Sequence, residues 1–169
     1  MSKSTEIKVE KITLNIGAGK STDKLEKGLK LLEMITGAKP VKTFTNKRIA
    51  GWGLRPGLPI GCKVTIRGKR AYELLKQLLG AVDNKLYEKQ FDNEGNIAFG
   101  IREYIDIPGV EYQPEIGVIG LQACITLARP GFRIKRRRLQ KRKIGSNHRI
   151  RKEDAIEYMK KNFNTALEE

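Results

Sequence analysis

Asn15-Ile16-Gly17-Ala18-Gly19-Lys20-Ser21 is the stretch whose residue types come nearest to reaction chemistry. A Gly-Lys-Ser between a strand and a helix can end a phosphate-cradling loop, where backbone N–H groups wrap the phosphates and the lysine reaches the outer ones. Such a loop needs a glycine separated from the Gly-Lys pair by four residues, and Leu14, inside the preceding strand, stands there. No later apolar strand ends in an Asp that could serve Mg²⁺. A nucleotide-dependent enzyme would thus rest on Gly19-Lys20-Ser21 alone, and predicts ATP or GTP binding abolished by Lys20→Ala. Other catalytic sets are weaker. His148, the only histidine, lies in a basic run, near a phosphate or in solvent. The carboxylate pairs Asp92/Glu94 and Glu153/Asp154 fall on a turn and a helix start, which local structure explains. Cys62 and Cys124 form no C-x-x-C pair, so zinc lacks ligands and both are expected as buried, reduced thiols. No enzyme, metal or cofactor is expected.

The charge pattern points elsewhere. Of 34 Lys and Arg against 19 Asp and Glu, 21 fall in two acid-free gaps. Between Glu33 and Glu73 lie Lys39, Lys42, Lys47, Arg48, Arg55, Lys63, Arg67, Lys69 and Arg70. Between Glu115 and Glu153 lie Arg129, Arg133, Lys135, Arg136, Arg137, Arg138, Lys141, Arg142, Lys143, Arg149, Arg151 and Lys152. A chain needing only solubility would intersperse its signs. Segregated cations imply a polyanion, because each one that neutralises a phosphate releases condensed counterions.

Local patterns supply the elements that must position these groups. Residues 8–16 alternate, with Ile12, Leu14 and Ile16 opposed to Lys11, Thr13 and Asn15, which predicts a half-buried strand. A helix follows, with Asp23 and Glu26 early, Leu25, Leu29, Leu32 and Ile35 inward, and Gly37 and Pro40 ending it. A strand over about 41–45 leads into a loop at 49–61 with too many Gly and Pro for regular structure. Residues 60–67 alternate again, Cys62, Val64 and Ile66 against Lys63, Thr65 and Arg67. A helix from Lys69 buries Ala71, Leu74, Leu75, Leu78 and Leu79 and stops at Gly80. Residues 81–95 read as irregular, closing on an Asn93-Glu94-Gly95-Asn96 turn. Strands are predicted at about 97–102 and 121–127, and a last short helix near Lys152. The expected fold is α+β, an antiparallel-dominated sheet with helices on one face, its polar face toward RNA, plus a basic C-terminal arm and short helix. The division is a core over 1–128, and an arm and helix over 129–169 packed on the same domain. The opening Met1-Ser2-Lys3-Ser4-Thr5-Glu6 has no apolar core for a signal peptide and no stretch is long enough to span a bilayer, so a cytoplasmic setting without a membrane partner is expected.

On that scaffold, Thr13, Asn15, Lys63, Thr65 and Arg67 lie outward on strands, beside the basic residues Lys42, Lys47 and Arg48. Hydroxyl, amide and cationic groups serve phosphate and sugar contacts; with no Tyr or Phe at those outward positions, shape and 2′-hydroxyl readout of structured RNA fits better than base stacking. Trp52, with Gly53 and Arg55 in the Gly/Pro loop, is either a packed anchor or a protruding stacking group. The arm, with Arg129, Arg133, Lys135, Arg136, Arg137, Arg138, Lys141, Arg142, Lys143, His148 and Arg149, is longer than a localisation signal. It forms no apolar stripe for a membrane surface, and a segment ordered against RNA explains both its charge and its glycines.

Several stretches, in order, resemble the family of large-subunit ribosomal proteins that bind 5S rRNA: Leu14-Asn15-Ile16-Gly17, Thr36-Gly37-Ala38-Lys39-Pro40, the run from Pro59 to Gly68, and that from Gly95 to Glu103. The tail from Arg129-Pro130-Gly131-Phe132 through Lys143-Ile144-Gly145 to His148-Arg149-Ile150 is similar to the archaeal and eukaryotic branch. The resemblance implies a structural protein of the central protuberance that attaches 5S rRNA to the large subunit. It also implies contact with large-subunit rRNA, association with the other 5S-associated ribosomal protein, a bridge to a small-subunit head protein, and a place near P-site tRNA. The family's strand-borne contacts to 5S rRNA fall on Asn15 and Thr65; a third, a Gln, is replaced here by Ala38. The tRNA-proximal loop falls on residues 50–59. A sequence-tolerant RNA-binding module outside the ribosome is the remaining alternative; it predicts equal affinity for 5S rRNA and unrelated structured RNA.

Overall fold

The computed structural model describes residues 6–168; residues 1–5, on which most of the signal-peptide expectation falls, and residue 169 lie outside them. In chain order the elements are β1 (Lys8–Gly17), α1 (Thr22–Thr36), β2 (Val41–Phe44), β3 (Pro59–Arg67), α2 (Lys69–Gly80), β4 (Lys85–Tyr87), β5 (Ile97–Ile101), β6 (Leu121–Ala128), α3 (Lys152–Phe163) and β7 (Ala166–Glu168). Five strands form an antiparallel sheet in the order β2-β3-β1-β6-β5. The fold is the expected α+β class, with one sheet face buried and the other polar.

Side chains alternate across the sheet, so the apolar members of each strand share a face. Ile12, Leu14 and Ile16 of β1, Cys62, Val64 and Ile66 of β3, Ile97, Phe99 and Ile101 of β5, and Leu121, Ala123, Ile125 and Leu127 of β6 are all buried there. The helices supply the opposing layer. In α2 the buried set is the predicted one, Ala71, Leu74, Leu75, Leu78 and Leu79. In α1 it is Leu25, Gly28, Leu31, Leu32 and Thr36, with Leu29 and Ile35 only half-buried at its margins. Gly28 turns the stripe inward, because a Cβ there would stand 3.0 Å from Cys62 Sγ and 3.4 Å from Ile16 Cγ2. Ser21 caps α1 by accepting from the Lys24 N–H at 3.3 Å, and Gly37 ends it in the left-handed region at φ 60°. Arg70 donates to the Thr36 carbonyl at the same end, a cation where the helix dipole favours one.

Three expectations are corrected. Residues 81–95 contain β4, which pairs in parallel with β7 across about half the chain. The 49–61 segment, expected to lack regular structure, carries a 3₁₀ turn at Ala50–Trp52 inside an Ile49–Leu54 bridge and gives its last residues to β3, which begins at Pro59; a Cβ on Gly61 would stand 2.6 Å from the Ile16 carbonyl oxygen. Of the two thiols only Cys62 is buried; Cys124 is exposed, since its register opposite Thr13 puts it on the polar face. Burial pushes the Cys62 thiol up to about 11, so it stays protonated and inert.

The arm is tied into the same core. Phe132, Ile150, Ala155, Met159 and Phe163 join the buried cluster, and Ile144 packs against it.

Candidate nucleic-acid interface

Strand register sorts the sheet's uncovered face into rows. Lys11 of β1 stands between Arg67 and Thr126, Thr13 between Thr65 and Cys124, and Asn15 between Lys63 and Gln122. Thr13 and Thr65 hydroxyls lie 3.4 Å apart, and Asn15 Nδ2 donates to Gln122 Oε1 at 3.4 Å. Toward β5 the rows end on small residues, Ala98 opposite Cys124 and Gly100 opposite Gln122. The result is a shallow plane of hydroxyls, amides and ammonium groups, opposite the face that the helices cover. Four of the five predicted strand positions are brought together here; Arg67 stands at the edge.

Arg67 also belongs to a second arrangement. Glu10 is the extra residue of a bulge between Val9 and Lys11, only 14% exposed, and its carboxylate accepts from Arg67 at 3.3 Å and from Arg136 of the arm. Two cations far apart in the sequence are thereby held by one carboxylate, making sheet face and arm one continuous basic surface.

Lys42 departs from the expected cluster. It pairs with Cys62, so it points to the helix side of the edge strand and away from Lys63. Lys47 and Arg48 are exposed on the loop that leaves β2. That loop extends the β2–β3 hairpin: Ile49 and Leu54 exchange backbone bonds at 3.1 and 3.0 Å, and Gly53 N–H closes a single 3₁₀ turn onto the Ala50 carbonyl at 2.9 Å. Leu54 is buried beneath it, whereas Trp52 is 68% exposed and Arg55 is exposed. Trp52 is the protruding group, not the packed anchor. The Lys20 ammonium rests over Gly53. The Ala18 and Gly19 N–H groups both donate to the Ile60 carbonyl, at 2.9 and 3.1 Å. The Ser21 N–H donates back to the Ala18 carbonyl at 3.3 Å, so the Gly19 and Ser21 amides of the Gly-Lys-Ser turn are engaged rather than open to phosphate.

The arm divides into residues that fasten it and residues that face outward. Arg129, 13% exposed, donates to the Arg149 carbonyl at 3.2 Å and to Asp154 Oδ2 at 3.1 Å. Asp154 Oδ2 also accepts the Arg151 N–H at 3.1 Å, capping α3. His148 Nε2 lies 2.8 Å from the Pro130 carbonyl, which can only accept, so that nitrogen carries a proton. The ring meets Phe132 edge-on at 5.7 Å between centroids. Arg129 and His148, expected to face RNA, are thus internal clasps. Arg149 Nε bonds the Ile144 carbonyl, Arg137 Nε the Gln140 carbonyl, and Lys135 pairs with Glu94. Arg133, Arg138, Lys141, Arg142 and Lys143 are exposed.

Sequence reasoning passed over Glu10, Gln122, Cys124 and Thr126 as parts of this surface. The strand alternation already put the last three outward; Glu10 could not be found without the bulge. Among the described residues no group of three or more His, Cys, Asp or Glu is placed to hold a metal ion, and no helix is long and apolar enough to cross a membrane.

Known proteins share this architecture's sequence along almost its whole length. A family model described as ribosomal protein L5 matches residues 2–55, and a second, described as the C-terminus of that ribosomal family, matches residues 59–158. Similar relatives include the large ribosomal subunit protein uL5 of Nanoarchaeum equitans, 53% identical over 154 residues covering 90% of each chain. That of Sulfurisphaera tokodaii is 47% identical, covering 97% of this chain and 93% of its own. That of Nitrosopumilus maritimus is 45% identical, covering 99% of both. With both parts of the sheet and most of the arm inside the matched regions, the chain belongs to the L5 family of ribosomal proteins.

Proposed function

We propose that this protein holds 5S rRNA on the open face of its sheet and fastens it to large-subunit rRNA through the basic arm. Membership by itself supplies the general part: the family is ribosomal and binds rRNA, and it is not a family of enzymes. The observation that carries the specific reading is the plane of Thr13, Thr65, Asn15, Lys63 and Gln122, left uncovered by the helices and continued by Arg67 and Arg136 through Glu10. Short hydroxyl and amide side chains at strand spacing suit sugar and phosphate groups of a folded RNA, and the surrounding cations supply the affinity. In this reading residues 1–128 seat 5S rRNA and residues 129–169 engage the larger RNA.

Two further partners fit surfaces of different character. Exposed Trp52 and Arg55, with Gly53, form a projecting tip suited to P-site tRNA. The segment before β6, residues 103–119, contains Glu103, Asp106, Glu111 and Glu115 and no Lys or Arg, with Tyr112 and Val118 exposed. An acidic, partly apolar surface repels RNA and suits a basic protein, the small-subunit head protein or the other 5S-associated ribosomal protein.

A gel-shift titration with 5S rRNA against tRNA, at two salt concentrations, tests the central claim. Preference for 5S rRNA that survives the higher salt is the expected result; equal, salt-erased binding would reduce the protein to a general cation. Asn15→Ala and Thr65→Ala are each expected to weaken 5S rRNA binding by about 1 kcal/mol, the value of a lost hydrogen bond. Unchanged affinity in both would remove the sheet face from the interface. A second check uses the native thiols. Iodoacetamide should modify exposed Cys124 in the free protein and spare Cys62, and bound 5S rRNA should slow the reaction at Cys124 at least about tenfold. Equal rates with and without RNA would place the RNA elsewhere.

A further inference from the structure

Folding of the arm leaves a cleft of about 880 Å³ between it and the turn before β5. Its floor is apolar: Phe132 and Ile150 are buried, and Ile144 is half-buried. Its walls carry cations from two stretches of the arm, Lys141, Arg142 and Lys143 before the floor residue Ile144, and Arg149 and Arg151 after it. The single acid, Glu94, is paired with Lys135 at 3.4 Å, so the walls keep a strong positive excess. Asn93 and Ser146 add an amide and a hydroxyl.

Resting on the RNA-binding reading above, we propose that this cleft receives one unstacked nucleotide of the RNA that the arm engages. The volume lies within the range of about 300–1,000 Å³ that encloses a small ligand. An apolar floor beneath a cationic rim matches a flat base joined to phosphates: the base covers half-buried Ile144, with Phe132 and Ile150 packed behind it, and the chain's phosphates meet the lysines and arginines. Asn93 and Ser146 offer donors and acceptors to a base edge, and RNA bases become available for such contacts only where they leave the stack. An acidic peptide would match the charge, but without a flat aromatic group it would leave the floor wet.

The test uses the full chain with a ten-residue oligoadenylate and the same oligomer made abasic, at one salt concentration. The wild-type protein is expected to prefer the base-containing oligomer about tenfold, the scale of burying one base. Ile144→Gln, which makes the floor polar without changing charge, should bring that ratio near one while leaving affinity for the abasic oligomer unchanged. Asn93→Ala, at an exposed position that leaves the core alone, should reduce the ratio about threefold, as expected for one lost hydrogen bond. Equal binding of the two oligomers by wild type, or a ratio unmoved by both variants, overturns the proposal. Adenosine monophosphate matching the oligomer's affinity would assign the cleft to a free nucleotide and overturn it too. So would an acidic, tryptophan-bearing peptide that outbinds the oligomer and loses its advantage in Ile144→Gln. The same proteins titrated with 5S rRNA separate the two readings. Loss of cleft behaviour with 5S rRNA preference intact sinks only the cleft, and absent 5S preference in wild type sinks the reading beneath it.

Discussion

Replacing Lys141, Arg142 and Lys143 together with glutamine is expected to weaken binding to large-subunit rRNA on the order of a hundredfold near 0.1 M salt. The log–log salt slope should flatten by roughly two to three, since each lost phosphate contact removes about 0.9 for duplex-like RNA and about 0.7 for single strands. The three side chains are exposed, and the backbone there is held by the Arg142 N–H donating to the Ile134 carbonyl at 3.3 Å, which glutamine preserves. The fold should therefore survive, and circular dichroism and a urea midpoint matching wild type would confirm that. Removing the arm outright at Pro130 is a poorer test, because it also strips Phe132, Ile150, Ala155, Met159 and Phe163 from the core. An unchanged slope in the triple variant would mean that these residues face solvent or protein. Binding to isolated 5S rRNA should change much less, which separates arm from sheet.

Asp154→Ala is expected to cost about 3 kcal/mol of stability, read from the urea midpoint. Loss of the α3 cap accounts for about 1 kcal/mol. The remainder comes from Arg129, whose guanidinium is almost out of water, with Nε buried and without a partner. Without the carboxylate it keeps only the Arg149 carbonyl as an acceptor. Breaking a fully buried pair costs about 3–5 kcal/mol, and the figure here is smaller because the Asp154 side chain is 36% exposed. Asp154→Asn, which retains an oxygen for the Arg151 N–H but loses the charge, should fall between. A loss below about 0.5 kcal/mol for Asp154→Ala would show that the clasp contributes little. Because Asp154 joins Arg129 to the start of α3, the variant should also expose the arm to proteolysis before the sheet unfolds.

Both predictions depend on knowing which cations fasten the arm and which face outward, and the sequence could not supply that. A run of arginines looks the same whether a given member meets phosphate or a carbonyl. Arg129 is distinguished by Asp154 and the Arg149 carbonyl, His148 by the Pro130 carbonyl, and Arg136 by Glu10, each a partner set by the path of the chain in space. The Trp52 alternatives were likewise undecidable from neighbouring residue types. Leu54, two positions on, turned out to be the buried anchor of that loop.

What the sequence determined by itself is whatever repeats locally. The period-two alternation of β1, β3 and β6 fixed their inward and outward sets, and the helical spacing in α2 fixed its five buried residues, because burial follows backbone geometry within a few positions. Charge segregation, a property of composition along the chain, announced the polyanion. The tertiary structure alone decided the rest. Three-residue strands such as β4 and β7 have no period to detect and exist only because they pair across the fold. Register against Cys62 sent Lys42 to the helix side, and register against Thr13 and Asn15 set Cys124 and Gln122 beside the β1 positions of the open face. The bulge at Glu10 let one carboxylate hold Arg67 and Arg136 together, joining two basic segments into one surface.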